Sequence, residues 1–176
     1  GRPKVLFARD YTEATALVDR YGSHVLGVIS DVRFPVDGVK NPDAGFLLAD
    51  YVRRSQPFVP VIMQSQESDN RLRAEMRGFA FLDKNSKTLP QELRDQLAFL
   101  FGFGDFIVKD PATGKEIMRI HDLKGLQKNI FNIPSDALFY HCATNDISRW
   151  LYSRALFPIA EAVKSFRFTE IGQAPA

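Results

Sequence analysis

The sequence has one cysteine (Cys142), one tryptophan, three histidines and almost no excess of charge of either sign. A lone cysteine allows no internal disulfide, so stability must come from a packed core, as in chains kept in a reducing compartment. The 23 basic and 21 acidic residues are well mixed and leave a net charge of +2. That balance suggests neither a nucleic-acid footprint nor an acidic substrate channel. No apolar run reaches the roughly 20 residues that a membrane-spanning helix needs, and no secretory leader is visible. These absences set the expectation of a cytoplasmic protein without nucleic-acid or membrane partners. What is present is 45% hydrophobic residues over 176 positions, enough for one full domain and a small second one. The chain opens on Gly1 and not on methionine, which sets the expectation of a segment of something longer.

The stretch that organises the chain runs over residues 25–35. An apolar run, Val25 to Ile29, ends at Asp31, with Pro35 four residues on. A run this short and apolar predicts a strand buried on both faces, as in a parallel sheet covered by helices. Residues 60–65 predict a second such strand ending at the Ser65 hydroxyl, and residues 78–84 a third ending at the Lys84 amine. In open α/β sheets ligands bind outside the carboxyl ends of the strands, and right-handed crossovers would bring all three groups to one edge.

Around these strands the periodicity predicts helices. Ala14, Leu17, Val18 and Tyr21 recur at helical spacing after a short apolar strand at 4–8, with Thr12 or Asp10 able to cap the start and Gly22 to end it. Phe46, Leu47, Ala49, Tyr51 and Val52 predict the next helix. Residues 36–44 between Pro35 and Gly45 read as a tolerated surface insertion. Residues 71–77 predict a strongly charged, thinly apolar helix, either a solvated face or a docking face. Pro90 opens a final amphipathic helix over 90–100.

Ile-Ser-Asp-Val-Arg-Phe-Pro at 29–35, Ser65 and Lys84 resemble, in order and spacing, the phosphoacceptor segment, the Ser/Thr position and the lysine of the receiver domain of two-component response regulators. Phe81 falls on that family's aromatic switch position. The resemblance spans about residues 3–100. It implies an α/β, flavodoxin-like parallel sheet in which Asp31 is the phosphoacceptor and a ligand of Mg²⁺, while Ser65 and Lys84 contact the phosphoryl group. The expected partner is a sensor histidine kinase or another phosphodonor. A receiver has two strand-helix units before its phosphoacceptor strand, and this chain has one. Arg9 and Asp10 follow residues 4–8, where the family's metal-binding acid pair would stand. Tyr-Thr-Glu-Ala at 11–14 resembles the opening of the family's second helix instead. The resemblance therefore implies that the first strand and its acids lie upstream of Gly1, which leaves a partial receiver over residues 1–100. After Lys84 the usual proline is replaced by Asn85, a departure from the pattern.

From residue 101 a second module is expected over 101–166, a small α+β arrangement of hairpin and helices. Residues 106–109 and 116–120 flank Asp110-Pro111-Ala112-Thr113-Gly114, a turn in which proline presets φ and glycine can take positive φ. Asp122 caps a helix, Pro134-Ser135 ends it and opens the next, Asp146 opens a third, and Pro158 kinks it or starts a fourth. Gly102 and Gly104 lack the strand-glycine-helix context of a nucleotide loop. His141 and Cys142, adjacent and without a spaced ligand set, read as structural residues. Residues 167–176 read as a frayed tail. The wording at 103–111, 133–141 and 148–155 resembles the segment that joins receiver-like domains to a PEP/pyruvate-binding, ATP-dependent phosphotransferase in proteins similar to phosphoenolpyruvate synthase. That resemblance carries no catalytic residue, so the attached catalytic domain would lie outside this chain. The competing expectations are a pseudo-receiver that serves as an interaction module, and a small flavodoxin-like enzyme, for which no cofactor phosphate loop is found.

Overall fold

Asp10 accepts the Glu13 N–H at 2.8 Å and caps α1 (Tyr11–Tyr21), which ends at Gly22 in the left-handed region, φ 49°. This is the capping the sequence allowed, decided in favour of Asp10 over Thr12. The computed structural model describes residues 3–165; the expected tail over 167–176 lies outside the described residues. The described chain is mixed α/β with a parallel sheet of three strands, and it divides into two compact units, Lys4–Gln96 and one from Leu97 onward.

In the first unit β1 (Val28–Asp31) pairs in parallel with β4 (Val61–Ser65), and β4 pairs in parallel with β5 (Ala80–Asp83). The strand order is β1-β4-β5. Between them come β2 (Phe34–Val36), β3 (Val39–Asn41), α2 (Ala44–Ser55) and α3 (Asp69–Met76), and α4 (Leu89–Leu100) follows β5. The core gathers Ala14 and Val18 of α1, Phe46, Ala49 and Val52 of α2, Met63 of β4, and Phe79 and Phe81. Each large side chain buried this fully contributes about 1.5–3 kcal/mol. The exposed ion pairs Arg33–Glu67 and Arg77–Asp50 are worth under about 1 kcal/mol each, so apolar packing holds the unit.

Three local expectations differ from the structure. Residues 4–8 join no sheet, and Val5, Leu6 and Phe7 stay exposed. Among the described residues β1 has one hydrogen-bonded neighbour, β4, and a strand exists only where another backbone supplies its ladder. For the same reason β1 is an edge strand and not one buried on both faces: Ile29 is 42% exposed. The insertion over 36–44 is a built element, the antiparallel β2–β3 hairpin, with Phe34 opposite Asn41 and Val36 opposite Val39. Its two-residue turn, Asp37-Gly38, has φ of 50° and 78°. Asp-Gly is the favoured pair for a turn needing two positive φ values, so the signal was in the sequence.

The second unit is an antiparallel hairpin of β6 (Phe106–Lys109) and β7 (Glu116–Ile120) with α5 (Leu123–Asn129), α6 (Ser135–Ala143), α7 (Asp146–Ser153) and α8 (Phe157–Ser165). Asp122 caps α5 by accepting the Gly125 N–H at 2.7 Å, and Pro158 lies in the first turn of α8 and kinks nothing. Trp150 is 1% exposed and donates its indole N–H to the Gly104 carbonyl at 3.0 Å. Arg154 lies over the indole at 3.9 Å and donates to the Gly102 and Gly104 carbonyls at 2.8 and 2.7 Å. Gly102 sits at φ 78°, and a Cβ there would be 3.0 Å from Trp150 Cα. The glycine-aromatic stretch at 101–104 is therefore a close-packed clamp on α7.

Candidate functional site

The carboxyl ends of the three parallel strands carry the groups singled out in the sequence. Asp31 is the last residue of β1, Ser65 the last of β4, and Lys84 follows β5 directly. The ladder continues past the strand ends, with Val32 N–H donating to Gln64 O at 3.1 Å and Lys84 N–H to Ser65 O at 2.9 Å. Lys84 Nζ lies 2.6 Å from Asp31 Oδ1. Both side chains are partly exposed, so the pair meets solvent and can accept a ligand. Asp31 Oδ1 is itself shielded and lacks an aligned hydrogen-bond donor; the ammonium serves it as a counter-charge.

α2 fixes the height of Asp31. Gly45 N–H donates to Val32 O at 2.8 Å, and a Cβ on Gly45 would fall 2.3 Å from Asp31 O. Only a residue without a side chain lets the first turn of α2 lie this close to the end of β1.

Ser65 is held from the loop and helix that follow it. Its Oγ accepts the Glu67 N–H at 3.1 Å and Asn70 Nδ2 at 3.0 Å. Asn70 is 4% exposed, and its Oδ1 accepts Arg73 Nη1 at 3.0 Å; Arg73 also pairs with Asp43, the residue before α2. Asn70 was missed in the sequence, where the helix was predicted only from residue 71. Its signal was position, five residues past Ser65 in the first turn of α3. Arg33 donates to Glu67 Oε1 at 2.9 Å, and Asn85 Nδ2 to Gln66 O at 2.8 Å, so Asn85 ties the loop after β5 to the loop after β4. Phe81 is not among the side chains at the edge. It is 4% exposed within the core, and the Arg71 guanidinium lies 5.1 Å from its ring centroid.

The described residues do not fit a Mg²⁺ ion on their own. Such an ion takes about six oxygen ligands in near-octahedral geometry. Of the three groups Asp31, Ser65 and Lys84, Asp31 alone is a carboxylate, and among the described residues no group of three His, Cys, Asp or Glu could hold a metal.

His141 and Cys142 take no part in such a site. His141 is 3% exposed, its Nε2 accepts the Lys109 N–H at 2.9 Å and its Nδ1 faces Asp146 Oδ2 at 2.8 Å. A backbone N–H only donates, so Nε2 carries no proton and Nδ1–H donates to the carboxylate. Both nitrogens are spent, and neither is a nucleophile. Burial pushes the Cys142 thiol up from its ordinary value, which leaves it uncharged at neutral pH.

No helix among the described residues is long and apolar enough to cross a membrane. The chain matches no family model, no curated protein and no solved structure.

Proposed function

We propose that the unit Lys4–Gln96 is a receiver-like, flavodoxin-like regulatory module whose Asp31 accepts a phosphoryl group. The observation that carries this reading is the Lys84 ammonium 2.6 Å from the Asp31 carboxylate, at the carboxyl edge of a parallel sheet. A carboxylate oxygen would attack phosphorus in line while the bond from phosphorus to the donor's leaving atom breaks and its electron pair departs with the donor. The product is an acyl phosphate on Asp31. Lys84 would exchange its ion pair with the carboxylate for one with the phosphoryl oxygens, and Ser65 would hydrogen-bond one of them. Phe81 would be the aromatic that turns with Ser65. A phosphohistidine on a sensor kinase, or a small acyl phosphate, would be the donor. The unit from Leu97 onward would connect this module to an attached phosphotransferase domain similar to that of phosphoenolpyruvate synthase. His141, buried and doubly hydrogen-bonded, supplies no phosphohistidine within the chain.

One observation favours a second reading, a pseudo-receiver that binds a partner and is never phosphorylated. Among the described residues Asp31 belongs to no group of three His, Cys, Asp or Glu that could hold a metal, and the family's phosphoryl transfer depends on Mg²⁺. One experiment separates the two. The chain is incubated with acetyl phosphate and Mg²⁺, and peptide mass is read over residues 29–35. A mass gain of one phosphoryl group, lost in Asp31→Asn, supports the first reading. No gain on the protein in its longest natural form overturns it in favour of the second.

A further inference from the structure

Asn70 is one of few buried polar residues of the first unit, and its hydrogen bonds run in one direction. Arg73 has donors only, so the Asn70 atom facing Nη1 at 3.0 Å is the carbonyl oxygen. That fixes the amide the other way round at its far side, with Nδ2 donating to Ser65 Oγ at 3.0 Å. The Glu67 N–H donates to the same oxygen at 3.1 Å. A hydroxyl oxygen has two lone pairs, and both are taken. What Ser65 has left to offer is its proton. The orientation is anchored at the other end by the Asp43 carboxylate, which holds Arg73. The Arg73 guanidinium also lies 4.3 Å from the Phe46 ring centroid, so it is clamped on two sides.

We infer that Asn70 is a positioning residue that makes Ser65 an obligate hydrogen-bond donor, and that the strand-end site of Asp31, Ser65 and Lys84 therefore selects an oxyanion of the phosphate class. This deepens the proposed function and rests on it for the site, but not for the chemistry. A phosphate oxygen would receive the Ser65 O–H and the charge of Lys84. A neutral ligand offering a donor would find no free lone pair on Ser65. The relay from Asp43 through Arg73 and Asn70 also ties that preference to the entry of α2, the helix that sets the height of Asp31.

The test is a titration of the full chain with inorganic phosphate, followed by NMR. Expected in the wild type are saturable shifts of the Lys84 and Glu67 amides and, in step with them, of the Asn70 side-chain NH₂. Asn70→Asp is close to isosteric and keeps an oxygen for Arg73, yet turns an acceptor towards Ser65 and claims its proton. It should weaken phosphate binding about tenfold, the scale of one hydrogen bond to a charged group. Ser65→Ala should do the same, and the double variant should lose no more than either single one. Phosphate binding in Asn70→Asp as tight as in the wild type overturns the inference, as does a wild type whose Asn70 NH₂ does not respond. The second outcome needs no variant, so misfolding of Asn70→Asp cannot mask it. Failure of phosphoryl transfer is read separately, as absence of a mass gain on Asp31; reversible phosphate binding does not require it.

Discussion

The α-carbon of Gly45 faces the carbonyl of Asp31 so closely that a methyl group added to it would stand 2.3 Å from that oxygen and 2.8 Å from Val32 Cα. Neither contact is with a flexible side chain; both are backbone at the end of β1. The first turn of α2 and the candidate acceptor are thus one rigid piece, closed by the Gly45 N–H bond to Val32 O.

Gly45→Ala should therefore cost about 1–3 kcal/mol, the usual range for overpacking a close contact, and more if β1 cannot shift. Its effect should centre on the site, with the Asp31 and Val32 amides moving most in an NMR spectrum. Urea unfolding measures the loss. An unchanged midpoint together with unmoved amides would show that the helix and strand have slack the contact denies.

His141 makes the reciprocal case in the second unit. Truncation to alanine removes a ring packed against Phe106 and Tyr140 and leaves the Lys109 N–H unpaired. A cavity and an orphaned buried donor together should destabilise by about 3–5 kcal/mol. Trp150, the one tryptophan, is buried at 6.1 Å from Phe106, so its fluorescence reports unfolding of this unit directly. His141→Asn should recover little, because its shorter side chain cannot span from Lys109 to Asp146.

Cys142 should be a slow thiol. Burial raises its pKa, the reactive form is the thiolate, and so the folded chain at neutral pH holds less of it than a free cysteine would. Alkylation followed by mass should run well below the rate for a small-molecule thiol and rise when urea unfolds the chain. Raising the pH should speed it, as deprotonation begins later than in the free thiol. A rate equal to that of the free thiol at pH 7 would contradict the burial.

Much of this was open to a reading of the chain alone. Helix positions followed from local facts: apolar residues at a period near 3.6, caps at Asp10 and Asp122, and prolines in first turns at Pro90 and Pro158. The ends of the first two strands at Asp31 and Ser65 also followed, since each apolar run gives way to two polar residues there; the third was read to Lys84 and ends one residue earlier, at Asp83. The β2–β3 hairpin was legible in Asp37-Gly38, but its strands of three residues each are too short to show a period of their own.

Pairing was decided only by the tertiary structure. Residues 4–8 have the composition of a strand, but a strand is a property of two backbones, and local apolarity does not say whether a partner stands alongside. The close approach at Gly45 and the burial of Asn70 are of the same kind. Each depends on where a distant backbone comes to rest, so a glycine after a loop and an asparagine in a polar stretch look ordinary until the helices are docked. The order carboxylate, hydroxyl, amine was written in the chain; the 2.6 Å between Asp31 and Lys84 was set by three parallel strands brought side by side, because only that packing puts residues 53 positions apart at one edge.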